Sequence, residues 1–254
     1  IARVHPDIIF SIGLIDAAQR AQAEQLQLQT GIPVVMLELP LTRMDKTYRV
    51  VGNMLGETGR SELLAQYCRQ RVDEIDKELG QVPESERVRV YYAEGPKGLE
   101  SDPAGSFHTQ VLDFVQGINV AQVSAGMGYG RAEVSIEQVM RWDPQVIIVG
   151  YDKQAQDGFF NKAYQLPEWQ SITAIRQHRL YQIPALPYDW FDRPPSVNRL
   201  IGIQWLAKLL YPASISLDLG KETRYFYELF YHLRLTDQQL DGLIQPAISG
   251  VPHG

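Results

Sequence analysis

A segment that occurs twice constrains this chain more than any single motif in it. Arg3-Val4-His5-Pro6-Asp7-Ile8-Ile9-Phe10-Ser11-Ile12-Gly13 is echoed by Arg141-Trp142-Asp143-Pro144-Gln145-Val146-Ile147-Ile148-Val149-Gly150. Each copy reads as a helix end, a proline that stops the helix, and a short β-branched run suited to a buried parallel strand. Internal repetition of this kind predicts two similar α/β lobes. The second copy is preceded by a long α/β stretch, Val88 to Gln138, whereas the first starts at residue one, so the first lobe is expected to be incomplete.

The 254 residues, 44% of them apolar, are enough to bury a substantial core in one large or two modest domains. A net charge of −6 with no clustering of Lys and Arg excludes a nucleic-acid-binding face. No apolar run is long enough to span a bilayer, and the first residues carry no secretory-signal pattern. A single cysteine, Cys68, rules out a disulfide framework or an all-thiolate metal site within the chain. It lies in a helical pattern and reads as a small buried apolar residue.

Along the chain, Asp16 to Gln29 is a helix ended by Gly31, Ile32 to Leu37 a second strand, and Met44 to Leu55 another helix. Ser61 to about Leu79 has apolar residues at helical spacing and lies between the two repeats, which suits a rigid connector. Val88 to Tyr92 opens the second lobe as a strand running into the turn Glu94-Gly95-Pro96-Lys97-Gly98. Ser106 to Gln116 reads as helix and Asn119-Val120-Ala121 as a short strand. Ser135 with Gln138 forms a capping-box pattern ahead of the next helix. Val146 to Val149 and Arg179 to Pro184 are further strands. Ser196 is expected to cap a helix with one core-facing stripe at Val197, Leu200, Ile201, Trp205, Leu209 and Leu210, and two helices, Lys221 to Leu233 and Thr236 to Ile244, close the chain.

Catalytic signatures are missing. Gly126-Met127-Gly128-Tyr129-Gly130 fits neither a dinucleotide fingerprint nor a phosphate-binding P-loop, and there is no nucleophile elbow or His-Glu-x-x-His. The five histidines are scattered, and only His108, downstream of Glu100 and Asp102, lies in a candidate pocket loop. The densest constellation is Pro187-Tyr188-Asp189-Trp190-Phe191-Asp192-Arg193-Pro194-Pro195: three aromatics, two carboxylates and an arginine in a proline-stiffened loop that follows a strand. Open α/β sheets bind ligands at the carboxyl ends of their strands. Asp192 and Arg193 also read as an ion pair that holds the loop.

Two α/β lobes, a helical connector and facing strand-end loops make the chain similar to the class III solute-binding proteins of bacterial ABC importers, which capture siderophores, haem, cobalamin and molybdate-type oxyanions. The resemblance rests on Pro6-Asp7-Ile8-Ile9, Leu55-Gly56 through Gly59-Arg60, Asn119-Val120-Ala121, Val134 to Gln138 with Asp143 to Ile148, Trp169 with Ile172, and Arg179-Leu180-Tyr181. It implies an α/β fold of two Rossmann-like lobes with parallel sheets joined by a long connector helix, the first lobe incomplete. Residues 1–57 would be the remainder of the N-terminal lobe, 58–82 the connector and 83–254 the C-terminal lobe. It implies a monomer without a cofactor, in the periplasm or as a lipoprotein on the outer face of the cytoplasmic membrane. Its partners would be the importer's permease and ATPase subunits, and its solute a siderophore-, haem- or cobalamin-like chelate of iron or cobalt, with a molybdate or tungstate oxyanion as the alternative. An enzyme related to nitrogenase components or chelatases is a third reading, disfavoured by the single cysteine. The expected ligand contacts are the strand-end residues Glu94, Lys97, His108, Tyr129, Arg131, Tyr188, Trp190 and Arg193. Glu137 matches the carboxylate that such proteins offer to the permease. Pro144 − Pro6 gives an offset of 138, which places its first-lobe counterpart at position −1 and implies that on the order of 50 residues of lobe one precede the chain. A helical connector also implies a smaller closing motion than a strand hinge allows.

Overall fold

A computed structural model describes residues 2–13, 15–124, 131–150 and 158–244. Its contacts divide the chain into two units, Ile1–Gln70 and Arg71–Gly254. In the first unit, β1 (Ile9–Ile12) pairs in parallel with β2 (Val34–Leu37), in register from Ile9 opposite Val34 to Ile12 opposite Leu37. They are connected by α1 (Ala17–Thr30), whose amino end is capped by Asp16 accepting from the Gln19 amide at 2.8 Å and whose carboxyl end stops at Gly31. Residues α2 (Met44–Leu55) and the start of α3 (Thr58–Leu79) follow, and Arg49 ties them by bonds to Asp45 at 2.7 Å and Glu62 at 2.8 Å. The unit boundary at residues 70 and 71 falls inside α3, three residues longer at its start than the apolar spacing indicates.

The second unit is built on a four-stranded parallel sheet. Its strands are β3 (Arg89–Ala93), β5 (Ile118–Asn119), β7 (Val146–Val149) and β8 (Leu180–Gln182), in the order β5-β3-β7-β8. A short antiparallel ribbon of β4 (Glu100–Ser101) and β6 (Ala132–Glu133), not legible in the sequence, stands beside the carboxyl end of β3. Because β5 and β7 flank β3 on opposite sides, the chain reverses its winding direction at β3 and β7, and a crevice opens at their carboxyl ends. The helices are α4 (Gln110–Phe114), α5 (Ile136–Trp142), α6 (Phe159–Lys162), α7 (Thr173–Arg176), α8 (Arg199–Leu210), α9 (Leu219–Tyr231) and α10 (Asp237–Ile244).

The core explains the sheet. Every residue of β7 is buried, and Tyr91, Val139, Phe159, Trp169, Ile175 and Leu180 pack around it. Phe159 and Trp169 approach to 4.2 Å between ring centroids, and the Phe159 ring lies where a Cβ on Gly98 (φ +68°) would sit. Three expectations are corrected here. Helix α8 has no single apolar stripe: ten of its twelve residues are buried, since Ile203, Leu206 and Ala207 are apolar on the other sides, and it packs between α4 and α9. Nor does Ser196 cap it, because α8 begins at Arg199 and Ser196 Oγ accepts from the Asn198 amide in the preceding turn. The predicted helix from Ser106 resolves into a 3₁₀ turn at Phe107–Thr109 and the single turn of α4.

The repeat is real in three dimensions. His5 and Asp143, one residue before the aligned prolines, both adopt positive φ, +44° and +38°. Ile9 and Ile147 then donate from equivalent amides to the neighbouring strand's entrance, at Pro33 and Arg179 respectively, over 2.9 and 3.0 Å.

Candidate functional site

At the carboxyl end of β3 the chain places Tyr92 and Glu94, both buried, at the winding reversal of the sheet. The turn after Glu94 returns along β4 to Asp102, which is fully buried. The 3₁₀ turn Phe107–Thr109 brings His108, and the start of β6 brings Arg131. The loop after β8 supplies Asp189, Asp192 and Arg193. Asp189 Oδ1 accepts from the amides of Phe191 at 2.6 Å and Asp192 at 3.2 Å, which turns the loop sharply and points Asp192 inward. The loop is anchored from below: Gly202 of α8 lets the backbone of Trp190 approach so closely that a Cβ there would lie 1.9 Å from the Trp190 carbonyl oxygen.

These pieces meet in one network. Arg193 bonds Asp192 through Nη1, Asp102 through Nη2 at 3.0 Å, and approaches Glu94 at 3.8 Å. Arg131 bonds Glu94 at 2.8 Å and Glu100 at 3.3 Å. Tyr92 donates its hydroxyl to Asp192 Oδ1 at 2.8 Å. His108 Nδ1 is 2.8 Å from Asp192 Oδ2, yet it has no aligned hydrogen-bond partner, so the contact is one of proximity and not of N–H donation. Burial first, and then the adjacent Asp102 carboxyl, push Glu94 up from an ordinary 4.5 to about 9. At neutral pH Glu94 is therefore an acid, and a proton kept there satisfies both Glu94 Oε2 and Asp102 Oδ1, which face no N–H donor among the described residues. Burial lowers the Arg193 guanidinium, but the carboxylates of Asp192 first and then Asp102 outweigh it and hold the group protonated. Arg199, behind the site on α8, is drawn down to about 10 by burial and bonds Gln110 at 2.7 Å.

The periplasmic binding protein family model matches residues 1–186. This chain belongs to that family. Among its relatives, the molybdate-binding protein MolA of Haemophilus influenzae is 27% identical over an alignment that covers 89% of this chain and 67% of MolA. An ABC transporter solute-binding protein from Sulfurospirillum deleyianum superposes with a TM-score of 0.86 at 27% identity, over 96% of this chain and 74% of that one. The structure of MolA with molybdate bound matches with a TM-score of 0.67 at 22% identity, over 92% of this chain and 74% of that one, a likeness of fold. This binding protein is accordingly the solute-binding component of an ABC transporter. Its relatives are solute-binding proteins, not enzymes, which removes the nitrogenase-like reading. No helix among the described residues is long and apolar enough to cross a membrane.

Of the residues the sequence singled out, this binding protein brings Glu94, His108, Arg131 and Arg193 into the network described above. Lys97 is exposed on the turn, beside a groove of about 350 Å³ lined by Pro96, Leu99, Glu100, Glu133 and Val134. Tyr188 is half exposed at the loop's rim. Trp190 is fully buried, with its indole N–H donating to the Tyr227 hydroxyl at 3.3 Å, so it supports the loop from within the lobe. Tyr129 and the Gly126 to Gly130 turn lie outside the described residues. Glu137 is exposed in the first turn of α5, beneath the Ser135–Gln138 capping box, and hydrogen bonds from its own amide and from Ser135 lower its carboxyl. Asp102, Asp192 and Tyr92 were not singled out as contacts. Their signal was present, one aspartate ahead of His108 and the other beside Arg193, but their meeting joins Asp102 and Arg193 across 91 residues of sequence.

Proposed function

We propose that this binding protein captures a metal complex, of the siderophore, haem or cobalamin kind, with the strand-end cluster of its second lobe contributing Glu94, His108, Arg131, Tyr188 and Arg193. The single observation that carries this reading is the internal compensation of the site. Both arginines are already engaged by carboxyl groups, Arg131 by Glu94 at 2.8 Å and Glu100 at 3.3 Å and Arg193 by Asp192 and by Asp102 at 3.0 Å, so neither presents a bare fork to an oxyanion, while three buried carboxyls and an imidazole converge on one spot. Such a lining suits a solute that brings positive charge at its metal and apolar surface for Tyr188. Glu137 would dock on an arginine of the permease, its exposed position and helix-start charge leaving it available. Residues 58–82 would act as the connector, and 1–57 and 83–254 as portions of the two lobes. Native mass spectrometry with elemental analysis, on full-length protein from its own compartment, tests the reading: iron, cobalt or nickel with an organic mass is expected, and molybdenum or tungsten alone overturns it.

A second reading, a molybdate-type oxyanion, is supported by the 27% identity to MolA over 89% of this chain. It requires Arg193 or Arg131 to leave its carboxylates with no cation taking the guanidinium's place on them, and the same elemental analysis separates it from the first.

A further inference from the structure

The donor atoms of Asp102, His108 and Asp192 lie within 4.8 Å of one another. His108 Nδ1 and Asp192 Oδ2 are 2.8 Å apart without hydrogen-bond alignment. Metal bonds of about 2.0–2.2 Å at right angles place neighbouring donors about 3 Å apart, so this pair already has the spacing of two ligands of one ion. Asp102 is fully buried, and its Oδ1 faces no N–H donor among the described residues, only the proton it shares with Glu94. Two buried aspartates need a counter-charge. Arg193 supplies it, touching Asp192 and Asp102 with its two terminal nitrogens. Yet the arginine side chain is 30% exposed, against 1% and 2% for the aspartates, so it is the member of the cluster with room to leave.

We propose that Asp102, His108 and Asp192 form a divalent-cation site in which the Arg193 guanidinium is a removable placeholder. A metal takes the two carboxylates and the imidazole, and Arg193 turns outward, where its charge meets the anionic groups of the solute that carries the metal. The mixed oxygen and nitrogen donors suit nickel, cobalt, zinc or iron over magnesium or calcium. The inference rests on the metal-complex reading only for the cargo's organic part; the cation site itself is tested without it.

The experiment is calorimetric titration of the full-length protein with Ni²⁺ alone, as wild type, Arg193→Gln, His108→Ala and Asp192→Asn, each checked by circular dichroism for folding. One Ni²⁺ per protein is expected. Removing the competing charge in Arg193→Gln should tighten binding about tenfold or more, and His108→Ala and Asp192→Asn should each weaken it by about tenfold or more. His108→Ala is the decisive arm, because removing the Arg193 charge favours any cation near the two aspartates, whereas loss of the imidazole weakens binding only where it is a ligand. Unchanged or weaker binding in Arg193→Gln, or full binding in folded His108→Ala, overturns the proposal. A failure here leaves the solute-binding reading standing, since that depends on what the native protein carries.

Discussion

In the first copy of the repeated segment, Ile9–Ile12 pairs with one strand among the described residues, and its residues are half-buried or, at Ile12, exposed. In the second, Val146–Val149 lies between two strands and is buried throughout. The local solution is the same in both: a residue at positive φ, a proline, and an aliphatic strand that starts its parallel ladder at an equivalent amide. The difference is the company each strand keeps. Local sequence sets the turn and the register, and the number of layers packed around it sets how much the strand stabilises. The contrast extends to helices: α1, beside the first copy, buries no residue, whereas α8 in the second unit is buried on nearly every side.

Truncating the buried strand should give the largest effect. Ile147→Ala should cost about 3–4 kcal/mol in urea unfolding, against about 1 kcal/mol for Ile9→Ala; equal costs would break the comparison. Next comes the buried acid at the end of β3, which has no counterpart described beside the first copy. Glu94 keeps its proton in the folded state up to about 9, while in the unfolded chain it ionises near 4.5. The folded state thus binds more protons between these values, and stability should fall as pH rises through that window. Glu94→Gln should abolish the fall, melting above the wild type at pH 8 and close to it at pH 4, with a gap of about 2 kcal/mol at the higher pH. An unchanged pH slope in the variant would contradict the burial argument.

The paired positions before the prolines come third. Asp143 accepts from the Thr173 amide at 2.7 Å and from its hydroxyl at 2.9 Å, fastening α7 to the strand entrance. Asp143→Ala should cost about 1 kcal/mol, and His5→Ala within about 0.5 kcal/mol of nothing. The smallest contrast lies in the caps: Ser135→Ala should cost about 1 kcal/mol and Asp16→Ala about half that, since α1 contributes little buried surface. Chemical denaturation monitored by circular dichroism reads both pairs.

The elements with local signals were the legible ones. The Ser135–Gln138 box, the Gly31 cap, helix α2 and the repeated strand all follow from residues within a few positions of one another. The β4–β6 ribbon did not show, because each strand is two residues long and is defined only by its partner. The all-round burial of α8 was hidden behind a stripe that is present but not alone. At the site, Glu94, His108, Arg131 and Arg193 were legible as strand-end residues, whereas the roles of Asp102 and Asp192 depend on two distant loops meeting. Trp190 shows the converse: its sequence context is that of a binding loop, and packing against α8 turns it inward.

Anomalous diffraction from crystals of the full-length protein, purified with its native solute, tests the central claim most directly. The account predicts a metal atom coordinated by Asp102, His108 and Asp192, with Arg193 withdrawn from the two aspartates. A metal bound elsewhere with the Arg193–Asp192 and Arg193–Asp102 bonds intact, or a tetrahedral oxyanion held by Arg193 or Arg131, would contradict it.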